Sequence, residues 1–138
     1  MNVEDHLAIQ ELTHRYAYFI DCFDIDSWVD VFTPTAILDE TELGTGLLEG
    51  HEAIRRYGRE IVSTTQHVVH LMSNHIIWSL ERDAARGTAF SIVDVLSKSD
   101  ERTRYQIKYE DEYLKISGCW KIARRKVRPT LPPEAVST

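Results

Sequence analysis

The order of hydrophobic periods along the chain predicts an α+β domain, helices first and then a run of antiparallel strands. Three observations carry that expectation. In the N-terminal part, apolar residues recur at three- and four-residue steps, as on one face of a helix. From His67 onward the period changes to two, as in strands. The 138 residues, 43% apolar and 28% charged, suit one globular unit with one core. Such an order implies a curved antiparallel or mixed sheet covered on one face by helices, a cone whose apolar interior would hold a small molecule.

Each element has a local reason. Residues 4–23 place Ile9, Leu12, Tyr16, Ile20 and Phe23 on one helical face, with Glu4 and Asp5 suited to the positive N-terminal end. A short helix is expected over Asp26–Phe32, with Asp26 or Ser27 as cap and Pro34 as its stop. Ala36–Glu49 reads as a hairpin, one arm being Ala36-Ile37-Leu38-Asp39, with Gly44 and Gly46 in the loop and Leu47-Leu48-Glu49 as the return. After Gly50, a third helix runs over His51–Ser63. Strands follow over His67–Leu80, Arg86–Ser97, Arg102–Ile116 and Trp120–Val127, the last two joined by a Ser117-Gly118 turn. The domain thus covers residues 1–128. A tail, 129–138, carries three prolines and is expected to be loose or to lie on a neighbour.

Composition excludes several functions. Acidic residues outnumber basic ones 22 to 16, a formal charge of −6 that repels phosphate backbones, so nucleic acid is not an expected partner. Arg124-Arg125-Lys126 is the one local basic run. Cys22 and Cys119 form no CxxC pair and read as free thiols in a reducing cytosol. The N-terminus shows no basic region leading into an apolar run, and no apolar stretch approaches the roughly 18 residues of a membrane span. A cytoplasmic protein without membrane contact is expected. No glycine-rich phosphate loop is present, and no cofactor is expected.

Strand alternation sorts the chemistry-bearing side chains. On the first long strand, His70, Met72, Asn74, Ile76 and Trp78 fall on one face, and Val69, Leu71, Ser73, His75 and Ile77 on the other. On the second, Phe90, Ile92 and Asp94 share a face. On the third, Tyr105, Ile107, Tyr109, Asp111 and Tyr113 line the inner face, and Gln106, Lys108, Glu110 and Glu112 the wet one. A carboxylate among those tyrosines is either a satisfied structural acid or an acid facing substrate, and Asp111 stands open between the two. Asp21 ends the first helix, where a carboxylate opposes the dipole and needs a partner such as a histidine. His67-x-x-His70 has a metal-like spacing, but on a strand its members point to opposite faces, so no metal is expected.

Taken in order, Ala8-Ile9-Gln10-Glu11-Leu12, Arg15-Tyr16-Ala17, Asp21, Asp26-x-Trp28-x-x-x-Phe32, Gly50-His51-Glu52-Ala53-Ile54, His70-x-x-x-Asn74 and Tyr109-x-Asp111-x-Tyr113 … Gly118-x-Trp120-x-Ile122 resemble the SnoaL-like branch of the nuclear-transport-factor-2-like superfamily. The resemblance extends to about Val127. It implies the cone-shaped α+β fold and, by likeness to its scytalone dehydratase, hexachlorocyclohexane dehydrochlorinase and bile-acid 7α-dehydratase members, a cofactor-free lyase or isomerase acting on a small hydrophobic cyclic molecule. Asp21 and His70 match the catalytic Asp–His dyad of the first two. Asn74 matches a dehydrochlorinase asparagine, Tyr16 a helix-1 tyrosine that reaches the pocket, and Asp94 falls one residue from a pocket acid. Around the substrate the expected residues are Tyr16, Trp28, Asn74, Phe90, Asp94, Tyr109 and Asp111. The resemblance also implies a homodimer or homotrimer built on the outer sheet face, where Trp78 could contribute. Two other readings fit the same fold: a polyketide cyclase using Asp94 or Asp111 as base, and a non-catalytic ligand-binding or assembly subunit.

Overall fold

The computed structural model describes residues 2–137. It is an α+β unit in which N-terminal helices pack on one six-stranded mixed sheet. Helix α1 (Val3–Asp21) begins at Asn2, whose side-chain oxygen accepts from the backbone N–H groups of Glu4 and Asp5 at 3.0 and 3.3 Å. It buries Ile9, Leu12, Tyr16 and Ile20, the face that periodicity marks. It ends in a paired cap: the Phe23 N–H donates to the Ile20 carbonyl and the Asp24 N–H to the Phe19 carbonyl. Phe23 takes the left-handed conformation (φ 59°) that glycine usually occupies there, so Asp21 stands on the last helical turn beside a strained residue.

Helix α2 (Ile25–Asp30) is capped by Asp24, not by Asp26 or Ser27; its carboxylate accepts from the Ser27 N–H at 3.3 Å. The chain leaves this helix before Pro34. That residue lies exposed inside strand β1 (Phe32–Glu40), where the pairing with β6 slips between Phe32 and Ile37 and no proline N–H is missed. A 3₁₀ turn (Thr41–Leu43) leads to β2 (Gly46–Glu49). Gly50, at φ 83°, turns the chain into α3 (Gly50–Thr64). There the His51 ring Nε2 donates to the Phe32 carbonyl at 2.8 Å and ties α3 to β1.

Strands β3 (Thr65–Leu80), β4 (Ala84–Ser97), β5 (Arg102–Ile116) and β6 (Cys119–Ala135) complete the sheet in the order β2-β1-β6-β5-β4-β3. All pairs are antiparallel except β1 with β6, which makes the sheet mixed. The proline segment is not loose through Ala135. It extends β6 and pairs with the start of β5, with Leu131 opposite Gln106 and Ala135 opposite Thr103. A slipped register there accommodates Pro132 and Pro133. Both cysteines are free and exposed. Among the described residues no helix is long and apolar enough to cross a membrane.

Candidate active site

The last turn of α1 meets the middle of β3 at an aspartate–histidine contact. The Asp21 Oδ1 lies 2.6 Å from Nδ1 of His70, and its Oδ2 accepts the His70 backbone N–H at 2.8 Å. The carboxylate thereby fixes both the strand position and the ring of one residue. With Nδ1 carrying the proton toward Asp21, Nε2 is left as the basic nitrogen, and among the described residues nothing hydrogen-bonds it. The ring lines a cavity of about 510 Å³ between the helices and the inner sheet face. The Tyr16 ring meets it edge-on, with ring centres 6.1 Å apart. A larger groove, about 970 Å³, lies at the other end of the molecule beside charged residues such as Asp5 and Glu81 and holds no such pair.

Tyr16, Trp28 and Tyr109 join His70 in the cavity wall, as their faces predict. Apolar side chains of α1, α3, β3 and β4, among them Ile20, Ile61, Val68 and Val93, fill much of the rest. Burial pushes the phenols of Tyr16 and Tyr109 well above the ordinary tyrosine range, so both are neutral hydrogen-bond donors.

Four expected site residues lie elsewhere. Asn74 is exposed. It adopts φ 52° at a bulge where β3 and β4 slip register between Ser73 and Ile76. The extra residue inverts the alternation: His70 and Met72 are partly covered before it, then His75 and Ile77 after it, while Ile76 and Trp78 turn outward at 46% and 67% exposure. Asparagine tolerates the left-handed region, so its contribution at 74 is to the backbone. Phe90 and Asp94 do share a face with Ile92, but it is the outer one. The inner face of β4 carries Ala85, Gly87, Ala89, Ser91 and Val93. Small residues are required there because the tyrosines of β5 occupy the space. A Cβ on Gly87 would stand 2.8 Å from the Ile76 carbonyl oxygen and 3.2 Å from the Tyr113 ring. On the outer face Asp94 bonds Arg102 at 2.6 Å and Arg104 at 2.8 Å, and those hydrogen bonds, Arg104 first, hold its carboxyl far below the usual range.

Asp111 faces inward but away from the cavity. Its oxygens accept from Arg125 Nε and Nη2 at 2.9 and 2.8 Å and from the Tyr113 hydroxyl at 2.6 Å. Both side chains of the ion pair are fully buried. The Arg125 guanidinium lies 4.3 and 4.2 Å from the ring centres of Tyr16 and Tyr109 and supports the cavity floor from behind. Of the two readings open for Asp111, the geometry is that of the satisfied structural acid.

Among the cavity residues that escaped the sequence reading, Glu40 and Tyr57 form a bonded pair. Ala36, Leu38 and Glu40 alternate on the inner face of β1, and Glu40 is only 6% exposed. Ending that arm at Asp39 hid the next inward position. The Tyr57 hydroxyl of α3 donates to Glu40 Oε1 at 2.7 Å, and both line the cavity. Burial raises the Glu40 carboxyl above its ordinary value against the opposing hydrogen bond from Tyr57.

A model of the SnoaL-like domain family matches residues 1–126. Among solved structures, a candidate aromatic ring hydroxylase from Novosphingobium aromaticivorans is 28% identical with a TM-score of 0.93, covering 99% of this chain and 96% of that one. A candidate scytalone dehydratase from the same organism is 18% identical with a TM-score of 0.89, covering 99% and 91%. The type-3 hexachlorocyclohexane dehydrochlorinase of Novosphingobium barchaimii is 17% identical with a TM-score of 0.85, covering 98% and 92%. The last two likenesses concern the fold alone. The comparison with curated proteins finds no match.

Proposed function

The chain belongs to the SnoaL-like domain family, and from that premise we propose that it is a cofactor-free lyase or isomerase acting on a small hydrophobic cyclic molecule. One observation carries the reading: a histidine held through Nδ1 and its backbone N–H by one carboxylate, with its ring in the wall of a cavity of mixed apolar and polar lining. His70 Nε2 removes a proton beside an electron-withdrawing or leaving group. Asp21 keeps the ring in the productive tautomer and stabilises the imidazolium that forms. The neutral phenols of Tyr16 and Tyr109 donate hydrogen bonds to a developing enolate or a departing atom. The aliphatic part of the wall, Ile20, Ile61, Val68 and Val93, limits competing water, which favours elimination or isomerisation over hydrolysis. The dehydratase and dehydrochlorinase among the fold neighbours support this class of chemistry.

The test is a panel of hydroxylated and halogenated cyclic ketones and hydrocarbons, followed by ultraviolet absorbance of the new double bond. Wild-type protein is expected to turn over at least one member, and His70→Gln to lose about 10²–10⁴-fold in kcat. Equal turnover by both proteins would sink the dyad mechanism.

A second reading, an assembly subunit, draws on the outer sheet face, where Leu71, Trp78, Phe90 and Ile92 stand exposed at 37–67%. Size in solution separates the two: a stable homodimer or homotrimer of the lone chain supports the enzyme, and an aggregating lone chain the subunit.

A further inference from the structure

Glu40 is the buried acid that the dyad leaves unexplained. Every other buried carboxylate among the described residues has a cation beside it. Asp5 has Lys115 at 3.0 Å, Asp39 has Arg124 at 3.3 Å, and Asp111 has Arg125 at 2.8 Å. Among the described residues no lysine or arginine forms an ion pair with Glu40; its side-chain partner is the Tyr57 phenol. A buried carboxyl without a countercharge is stable chiefly in its protonated form. Burial sets this direction; the Tyr57 and Thr45 side chains and any positive charge on His70 oppose it without outweighing it. Tyr57 and Glu60 come from α3, Tyr16 from α1, Tyr109 from β5 and His70 from β3. The phenols are neutral, and Glu60 adds only negative charge. Thus one cavity holds a base that needs a proton and an acid that holds one.

Building on the dyad reading, we propose that Glu40 is a catalytic residue, the proton donor to a departing hydroxyl, so that the substrate is an alcohol and the reaction a dehydration. A halide leaves as a stable anion and needs no proton; hydroxide is a poor leaving group until it is protonated. In the step, His70 Nε2 takes a proton from carbon and the C–H electron pair becomes the new C=C bond. The C–O bond breaks with its pair on oxygen, and the Glu40 proton leaves with that oxygen as water. Imidazolium and Glu40 carboxylate remain, and return of the proton from His70 to Glu40 restores the resting state without oxidant or cofactor. Tyr57 orients the donor by holding the other carboxyl oxygen.

The test has two arms. Infrared difference spectroscopy of wild type against Glu40→Gln, at neutral pH, reads the carbonyl band of a protonated carboxylic acid. The band is expected in wild type and absent from the variant; its absence from wild type overturns the proposal. The second arm uses matched cyclic β-hydroxy and β-chloro ketones. Wild type is expected to turn over the alcohol, and Glu40→Gln to lower kcat on it by about 10²–10⁴-fold, with a loss on the chloride at least about tenfold smaller. Residual chloride turnover also shows that the variant is folded. Equal losses on both compounds, no loss on either, or wild-type turnover of the chloride alone or of neither overturns Glu40 as donor. The dyad reading fails separately, when His70→Gln retains both eliminations while the acid band persists.

Discussion

Asp21 holds His70 at two points, the ring Nδ1 at 2.6 Å and the backbone N–H at 2.8 Å. A single hydrogen bond would leave the imidazole free to swing about its own axis; the second ties the carboxylate to the strand that carries the ring. Asp21→Asn keeps the shape but removes the charge that stabilises an imidazolium. Its expected effect is a fall in kcat of about 10²–10⁴-fold with KM nearly unchanged. Imidazole ¹⁵N NMR checks the cause. Wild-type His70 shows the Nδ1–H tautomer, and the variant a mixture. An unaltered tautomer with unaltered kcat would remove Asp21 from the mechanism.

The Arg125–Asp111 pair makes a stability prediction. Both side chains have lost all contact with water, and Asp111 accepts three hydrogen bonds inside the core. Burial opposes the charge on Arg125, and the carboxylate of Asp111 outweighs it, so the guanidinium is held more firmly charged than usual. Replacing one partner strands the other. Asp111→Asn or Arg125→Met is expected to cost about 3–5 kcal/mol in urea unfolding, whereas replacing both with leucine costs markedly less. A single-variant loss below about 1 kcal/mol would show that the pair relaxes into water.

These two pairs also show how far the sequence could be read. Asp21 and His70 were legible because each sits in an unbroken period, helix α1 and the first half of β3, and because their order fits a family pattern. Asp111 and its tyrosines were legible because β5 alternates without a bulge along that stretch. Past Ser73 the reading failed: one inserted residue reverses the side chains of β3 as far as a second slip between Ile77 and Ser79, and nothing in Ser73-Asn74-His75 announces it. For β4, alternation correctly grouped Phe90 with Asp94 but could not say which face was inner. That depends on the tyrosines of β5 already filling the space. The β6 extension was hidden because prolines argue against a strand, and only an irregular register admits them.

His75 gives the pH prediction. The Tyr113 hydroxyl spends its proton on Asp111, so the 3.0 Å contact has His75 Nε2–H donating to the Tyr113 oxygen. Burial, with help from the Arg125 charge, holds His75 below the usual histidine value despite the pull of Asp111. An unfolded histidine takes up its proton near about pH 6.5. Below that pH the unfolded chain binds more protons than the folded one, so stability falls as pH drops, until the folded ring also protonates. His75→Gln removes this contribution. Wild type is expected to lose more stability than the variant on crossing from above to below about pH 6.5, as urea unfolding at two pH values will show. Parallel losses would mean that His75 is protonated in the fold.

Gly58 tests how the helices set the cavity wall. It lies buried on α3, and a Cβ there would stand 3.0 Å from Ile25 Cγ2 and 3.1 Å from Trp28 Cζ3. Alanine in mid-helix favours the helix by roughly 1 kcal/mol over glycine. Overpacking works against it by about 1–3 kcal/mol. Ile25 is only partly buried and can give way, but Trp28 is 1% exposed and wedged against Tyr16 and Phe32, with ring centres 5.8 and 5.6 Å away. The clash therefore wins, and Gly58→Ala is expected to destabilise the protein by about 1 kcal/mol net. Because Trp28 also lines the cavity, the same change should raise KM more than it lowers kcat. Trp28→Phe opens space at the point of contact, so the double variant is expected to be more stable than the sum of the two single losses allows. Strict additivity would show that Ile25 alone absorbs the new methyl group and that the spacing of α2 and α3 does not depend on Gly58.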